Sequence, residues 1–245
     1  MNPLILSIET ATPGGGVCLS KGGTVLAAVA GDSTLSHSNT LLSDINRCLQ
    51  QTGASISEVQ LFAAACGPGS FTGLRIGLAT IKGLATSLER PCIGVPTLHA
   101  IAHSAGPSQA TVSLLPAGRG EVFVQSLSVS ADNVSELDAA AHRPPARAIE
   151  RYETQPTLKW VGAAASLHRD LLESAAHKQG VDFQVVARSE SEMSNHCWLL
   201  VAGKTILAKH VAAIAWQNFQ IGKVEEAETL SAIYVRPSDA EMKCN

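Results

Sequence analysis

Short, unbroken apolar runs open the chain, and segments of helical spacing follow them. Leu4 to Ile8, Val17 to Leu19 and Thr24 to Ala30 predict three strands, the last two joined through the turn signal Lys21-Gly22-Gly23. Tight connections of this kind imply antiparallel pairing rather than an immediate crossover. Leu41, Leu42, Ile45 and Leu49 then predict a helix opened by Ser36 or Ser38 and stopped at Gly53. Leu61 to Cys66 predicts a buried strand. Leu74, Leu78, Ile81, Ala85 and Leu88 step by four and three in alternation, the helical period, and predict a long helix ending near Glu89. Pro91 to Val95 predicts a further strand, and Thr97 caps a helix through His103 that Gly106-Pro107 ends.

The remainder is less regular. Thr111 to Pro116 and Glu121 to Val129 predict strands around Ala117-Gly118-Arg119-Gly120. Residues 130–157 are polar and predict a loop with little extended structure. Leu158 to Gly162 and Phe183 to Ala187 predict strands, Ala163 to Lys178 a helix, and Met193 to Trp216 a largely helical segment broken near Gly203. The order βββαβαβα over residues 1–108 is one half of the duplicated α/β fold of actin, Hsp70 and sugar kinases, in which two such lobes hold a nucleotide. No sequence repeat of this half follows. Residues 109–245 are therefore expected to form a smaller, degenerate second lobe of that actin-like ATPase fold.

The most informative stretch runs from Cys66 through Gly67-Pro68-Gly69 to Gly77. Ser70 or Thr72 is placed to cap the helix, leaving first-turn N–H groups where an anion could rest. Gly73, Gly77 and Gly83 lie inside the helix, each costing up to about 1 kcal/mol relative to alanine. Gly73 and Gly77 share a face that Thr80 extends. So smooth a stripe suits close approach by another backbone, in the same chain or in a partner. The helix opens without the lysine of a P-loop, and the third glycine falls one residue beyond the dinucleotide spacing. The phosphate chemistry that remains is an actin-like hairpin, Thr10 to Gly16. Kinases of that fold place a magnesium-serving aspartate where Glu9 stands; a glutamate there could hold a metal only through water.

Composition narrows the classes. The chain of 245 residues is 45% hydrophobic, 16% charged and 4% aromatic, which suits closely packed α/β layers and excludes wholesale disorder. A net charge of −3 leaves no basic footprint for nucleic acid. Six scattered cysteines lack zinc spacing, and Cys18, Cys66 and Cys92 fall in apolar runs as small core residues of a protein in a reducing cytosol. No membrane-length apolar run and no basic leader are present. His99 and His103, four apart on a predicted helix, could face one metal, but no carboxylate lies near them in sequence and a structural role is the more ordinary one. His37 suits a local contact and Glu121 a solvated strand position. Arg75 is placed to pair with a neighbouring chain's carboxylate or with Glu9.

Ile8-Glu9-Thr10-Ala11-Thr12, then Gly67 through Gly77, then Ile93-Gly94-Val95-Pro96-Thr97-Leu98, in that order and at those separations, resemble the bacterial TsaB (YeaZ) family. The likeness continues thinly through Gly120-Glu121-Val122-Phe123 and Tyr234-Val235-Arg236. It departs at Pro116-Ala117-Gly118, where the family often has Asp-Ala-Arg, and at Ala232, where proline is common. The resemblance implies a part in making threonylcarbamoyladenosine, the modified base beside the anticodon of tRNA. It implies a noncatalytic scaffold: no catalytic residue, no metal, and no cofactor beyond weak or partner-dependent nucleotide binding. A TsaD-type paralogue is the implied heterodimer partner, a TsaE-type ATPase joins the pair, and tRNA is met through the complex. Alone, the chain is expected to form a homodimer, in the cytoplasm and off the membrane. In TsaD a histidine pair directly follows the strand equivalent to Ile93 to Val95; here Pro96 and Thr97 stand there. The expected partner interface is His37, Leu41, Ser70, Phe71, Thr72, Gly73, Arg75, Ile76, Gly77 and Thr80. The expected phosphate loop is Glu9, Thr10, Ala11, Thr12 and Gly14. The competing functions are an ATP-dependent phosphotransferase working through the hairpin and, further off, a metallopeptidase using His99 and His103.

Overall fold

The computed structural model describes residues 2–187, 195–203 and 205–235. In chain order its elements are β1 (Leu4–Glu9), β2 (Gly16–Lys21), β3 (Thr24–Ala30), α1 (His37–Gln50), β4 (Leu61–Gly67), α2 (Phe71–Leu88), β5 (Cys92–Pro96) and α3 (Thr97–Ser104). Then follow β6 (Ser108–Gly118), β7 (Glu121–Val129), β8 (Val134–Glu136), β9 (Ala141–Arg143), α4 (Pro145–Glu150), β10 (Leu158–Val161), α5 (Ala163–Leu167), α6 (Arg169–Lys178), β11 (Asp182–Val186), β12 (Cys197–Val201) and α7 (Ala208–Gln220). The chain forms two compact units, Met1–Ala100 with Ile206–Tyr234, and Ile101–Thr205 with Val235–Asn245. A single division at residue 108 leaves Ile206–Tyr234 on the other side.

The first unit holds a five-stranded sheet in the order β3-β2-β1-β4-β5. β1, β2 and β3 pair antiparallel; β4 and β5 continue in parallel with β1. Antiparallel pairing of the opening strands follows from their short turns, and parallel pairing from the helical crossovers α1 and α2. Those two helices cover one face, where Leu41, Ile45, Leu78 and Ile81 pack with Ile8 and Phe62. α7 lies on the other face: Cys18 packs against Ala208 and Ala212, and Ser7 Oγ donates to the Ala208 carbonyl at 2.8 Å. The segment after α7 closes the β5 edge. Cys92 and Glu225 exchange backbone hydrogen bonds of 2.9 and 2.8 Å, and Gly94 N–H donates to Glu225 Oε1. Edge pairing of this kind removes a row of open backbone groups.

The second unit holds strands in the order β8-β7-β6-β10-β12-β11, with β9 also pairing β7. β6 and β7 are antiparallel; β10 runs parallel to β6 and β12 parallel to β10. This repeats the strand order of the first sheet, with the third-strand place filled by two three-residue strands and with shorter helices around it. Trp160 and Trp198 form its core, ring centroids 5.1 Å apart, with Tyr152 edge-on to Trp160.

Three expectations change here. Residues 130–157 carry β8, β9 and α4, gathered by Asp138, whose carboxylate accepts from Ser126 N–H, Arg151 Nε–H and Tyr152 O–H. The segment expected to be helical from Met193 contains β12, a strand buried along its whole length; positions 193 and 194 lie outside the described residues. The helix expected over 163–178 is two pieces meeting at His168. Cys18, Cys66 and Cys92 are buried as expected, with Cys48 and Cys197, and all five are free thiols. Burial pushes the Cys18 and Cys66 thiols up to about 12 and Cys92 to about 11, so none is a thiolate near neutral pH. Cys244, Arg236 and Pro237 lie outside the described residues. Among the described residues no helix is long and apolar enough to cross a membrane.

Candidate functional site

The hairpin between β1 and β2 is fastened from several sides. Glu9 is buried, and its two carboxylate oxygens accept from Thr12 N–H at 2.8 Å and Thr12 O–H at 2.6 Å. Burial raises the Glu9 carboxyl above its ordinary range, against the pull of those bonds. Thr10 Oγ1 donates to the Gly73 carbonyl at 2.8 Å, and Ser70 N–H donates to the Ala11 carbonyl at 2.8 Å. His37 Nε2 lies 3.1 Å from the Thr12 carbonyl, and Gly31 N–H donates to the Gly15 carbonyl. The loop expected to face phosphate is thus bonded to the first turns of α1 and α2. Thr10 and Ala11 are buried; Thr12 and Gly14 are half-buried, Gly14 with φ of 82°.

The glycine stripe of α2 points into this bracket, not away from it. Gly73 and Gly77 are buried. A Cβ at Gly73 would collide with the Thr10 carbonyl oxygen, and one at Gly77 with Thr10 Oγ1. The backbone that approaches closely is the chain's own β1 end, which corrects the expectation of a ridge left open for a partner. Leu41 is corrected in the same way: it is 5% exposed and part of the first unit's core. His37 is half-buried against the hairpin. Ser70 caps α2, its Oγ accepting from Gly73 N–H. Ile76 and Thr80 are half-buried, and Thr80 Oγ1 donates back to the Ile76 carbonyl.

What α2 does expose is a second stripe, Thr72, Arg75, Ala79, Gly83 and Thr86, and the space around Gly83 is open. On α1 the exposed apolar side chain is Leu42, at 70%. Spacing alone identified a smooth face; it took burial to show that α2 has two, one turned in and one turned out. The Arg75 guanidinium lies 3.8 Å above the Phe71 ring, whose centroid is 5.4 Å from that of Tyr234. Glu9, turned onto Thr12, is not its partner.

The remaining candidates separate. His99 and His103 are half-buried, and burial lowers the His103 imidazole. Among the described residues no group of three or more histidine, cysteine or acidic side chains is gathered to hold a metal. Glu121 Oε2 lies 2.9 Å from His142 Nε2, a partner that sequence order did not suggest.

Two sheets of one strand order, antiparallel first and parallel after, define an actin-like ATPase fold, here with its first hairpin closed onto the flanking helices. The model of the family described as TsaD: tRNA N6-adenosine threonylcarbamoyltransferase matches residues 12–226. The chain is 28% identical over 221 residues to the tRNA threonylcarbamoyladenosine biosynthesis protein TsaB of Escherichia coli K12, covering 87% of this chain and 94% of that one. To the Bacillus subtilis 168 protein of the same description it is 26% identical over 179 residues, 72% and 78% of the two chains. The YeaZ structure from Pseudomonas aeruginosa superposes with a TM-score of 0.70 over 95% of this chain and 99% of that one, at 21% identity. The chain therefore belongs to the TsaD, tRNA N6-adenosine threonylcarbamoyltransferase, family, on its TsaB (YeaZ) branch.

Proposed function

We propose that the chain serves tRNA threonylcarbamoyladenosine biosynthesis as a noncatalytic subunit that docks a TsaD-type paralogue through the outward face of α1 and α2. Membership of the family and likeness to two proteins described by that pathway support the pathway assignment. The observation that carries the docking face is the exposed stripe Thr72-Arg75-Ala79-Gly83, small and nearly uncharged on a helix whose other side is fully packed. A solvated helix ordinarily carries charged and polar residues there. Leu42 on α1 adds exposed apolar surface. In this scheme a TsaE-type ATPase joins the pair, tRNA meets the complex, and the unpartnered chain self-associates through the same face. The engaged carbonyls of Ala11, Thr12 and Gly15 weigh against a phosphotransferase, since a phosphate would have to displace Glu9, His37 and Ser70 from the hairpin.

The test is reconstitution of threonylcarbamoylation with the cognate TsaD-type and TsaE-type proteins. Activity is expected to require this chain and to be lost with Ala79→Arg, a substitution on an exposed helical position that leaves the fold intact. Undiminished modification without the chain, or with the variant, contradicts the proposal.

A further inference from the structure

Arg75 is the one charged side chain on the exposed stripe of α2, and its surroundings hold it there. Its guanidinium sits 3.8 Å above the Phe71 ring, and Phe71 is backed by Tyr234 at 5.4 Å. Tyr234 is fixed in turn: the neighbouring Ile233 N–H donates to the Cys66 carbonyl at 2.7 Å, and Leu230 is buried over Gly94. A cation stacked on an aromatic face loses rotamer freedom while its N–H edge stays open. Among the described residues no carboxylate forms an ion pair with Arg75. The arginine is thus set in advance with its hydrogen-bond donors available.

The two helices say what could take those donors. α2 contains no acidic residue, and the one acid of α1, Asp44, is buried and bonded to Arg47 at 2.9 Å. A second copy of the chain meeting it through these faces would bring no free carboxylate, and Arg75 would be buried without a counter-charge, an arrangement that strongly disfavours association. We infer that Arg75, held by Phe71 and Tyr234, is the anchor for a carboxylate on a protein partner, and that it makes the α1–α2 face select an unlike partner over a second copy. This rests on the docking face proposed above and adds to it the chemistry of the contact. A planar guanidinium can bind a carboxylate through two parallel bonds, which fixes orientation as well as affinity.

The experiment measures the dissociation constant of the cognate TsaD-type protein for the full chain and for Arg75→Gln, Arg75→Lys, Phe71→Leu and Ala79→Arg, at about 0.05 and about 0.5 M salt, where charge screening differs several-fold. Arg75→Gln is expected to weaken binding by about thirtyfold or more and to remove most of the salt dependence. Arg75→Lys should recover part of the loss, and Phe71→Leu should weaken binding with the salt dependence retained. In the absence of partner, sedimentation should show Arg75→Gln self-associating more tightly than the unsubstituted chain. Wild-type affinity and salt dependence in Arg75→Gln, with Ala79→Arg still abolishing binding, overturn the anchor and leave the docking face standing. Wild-type affinity in Ala79→Arg overturns both. Self-association of Arg75→Gln no tighter than that of the unsubstituted chain overturns the selectivity.

Discussion

The two sheets share a strand order, and they differ in the hairpin that opens each one. In the first, residues 10–15 between β1 and β2 are drawn onto α1 and α2 by Thr10, Ala11, Thr12 and Gly15. In the second, β6 passes into β7 through Arg119 and Gly120, both exposed, with open space around Gly118 and Gly120. One hairpin is a bracket and the other a bare turn. The same topology therefore carries two kinds of construction. The first unit is held by close backbone approach and small residues, the second by large aromatic side chains. Identical strand order does not carry identical chemistry, because the loops and helix faces around it are chosen separately.

The sharpest way to break this contrast lies within α2. Gly77→Arg must drive a side chain into Thr10, and is expected to cost more than about 4 kcal/mol and to abolish soluble, folded protein. Gly83→Arg, six residues on, enters open space and removes a helix-weakening glycine, so it should stabilise by up to about 1 kcal/mol. Thermal unfolding followed by circular dichroism compares them; equal melting temperatures would refute the assignment of inner and outer faces. In the second unit, Trp160→Ala removes a fully buried ring from between Tyr152 and Trp198 and should cost about 3–5 kcal/mol in denaturant titration. A loss below about 1 kcal/mol would show that this core does not rest on its aromatic cluster.

Glu9 gives a smaller, pH-dependent effect. Its folded-state affinity for a proton is raised by burial above the ordinary carboxyl value of 4.5. The stability it contributes is therefore complete below that value and declines as pH rises through the higher folded one. Glu9→Gln cannot ionise, and its amide can still meet Thr12. It should match the unsubstituted chain near pH 4 and exceed it by about 1 kcal/mol near pH 7. A variant that is less stable at pH 7 than at pH 4, relative to the unsubstituted chain, would mean that ionised Glu9 stabilises the hairpin.

Much of the first unit was legible because its strands are short apolar runs and its helices keep a clean period. The glycine spacing of α2 announced a close approach but not whose backbone approaches; Thr10, more than sixty residues earlier, supplies it. Leu41 and Leu42 show the same limit, since one is core and the other exposed, and adjacent apolar residues do not say which. β12 was misread because Trp198-Leu199-Leu200-Val201 is an unbroken apolar run that suits a buried strand or a buried helix alike. Asp138 escaped notice because its three donors come from β7 and the end of α4, which only folding gathers. The repeated sheet was invisible in sequence for a related reason: strand order is kept by pairing, and pairing constrains residue type only weakly.

The central claim is that α2 turns one smooth face inward to its own hairpin and offers the other to a TsaD-type partner. The most direct measurement is a binding titration of that partner with the Ala79→Arg chain, its melting temperature recorded alongside. A dissociation constant raised by about a hundredfold or more, with the melting temperature unchanged, is the expected result. Unaltered affinity in a folded Ala79→Arg chain would contradict it.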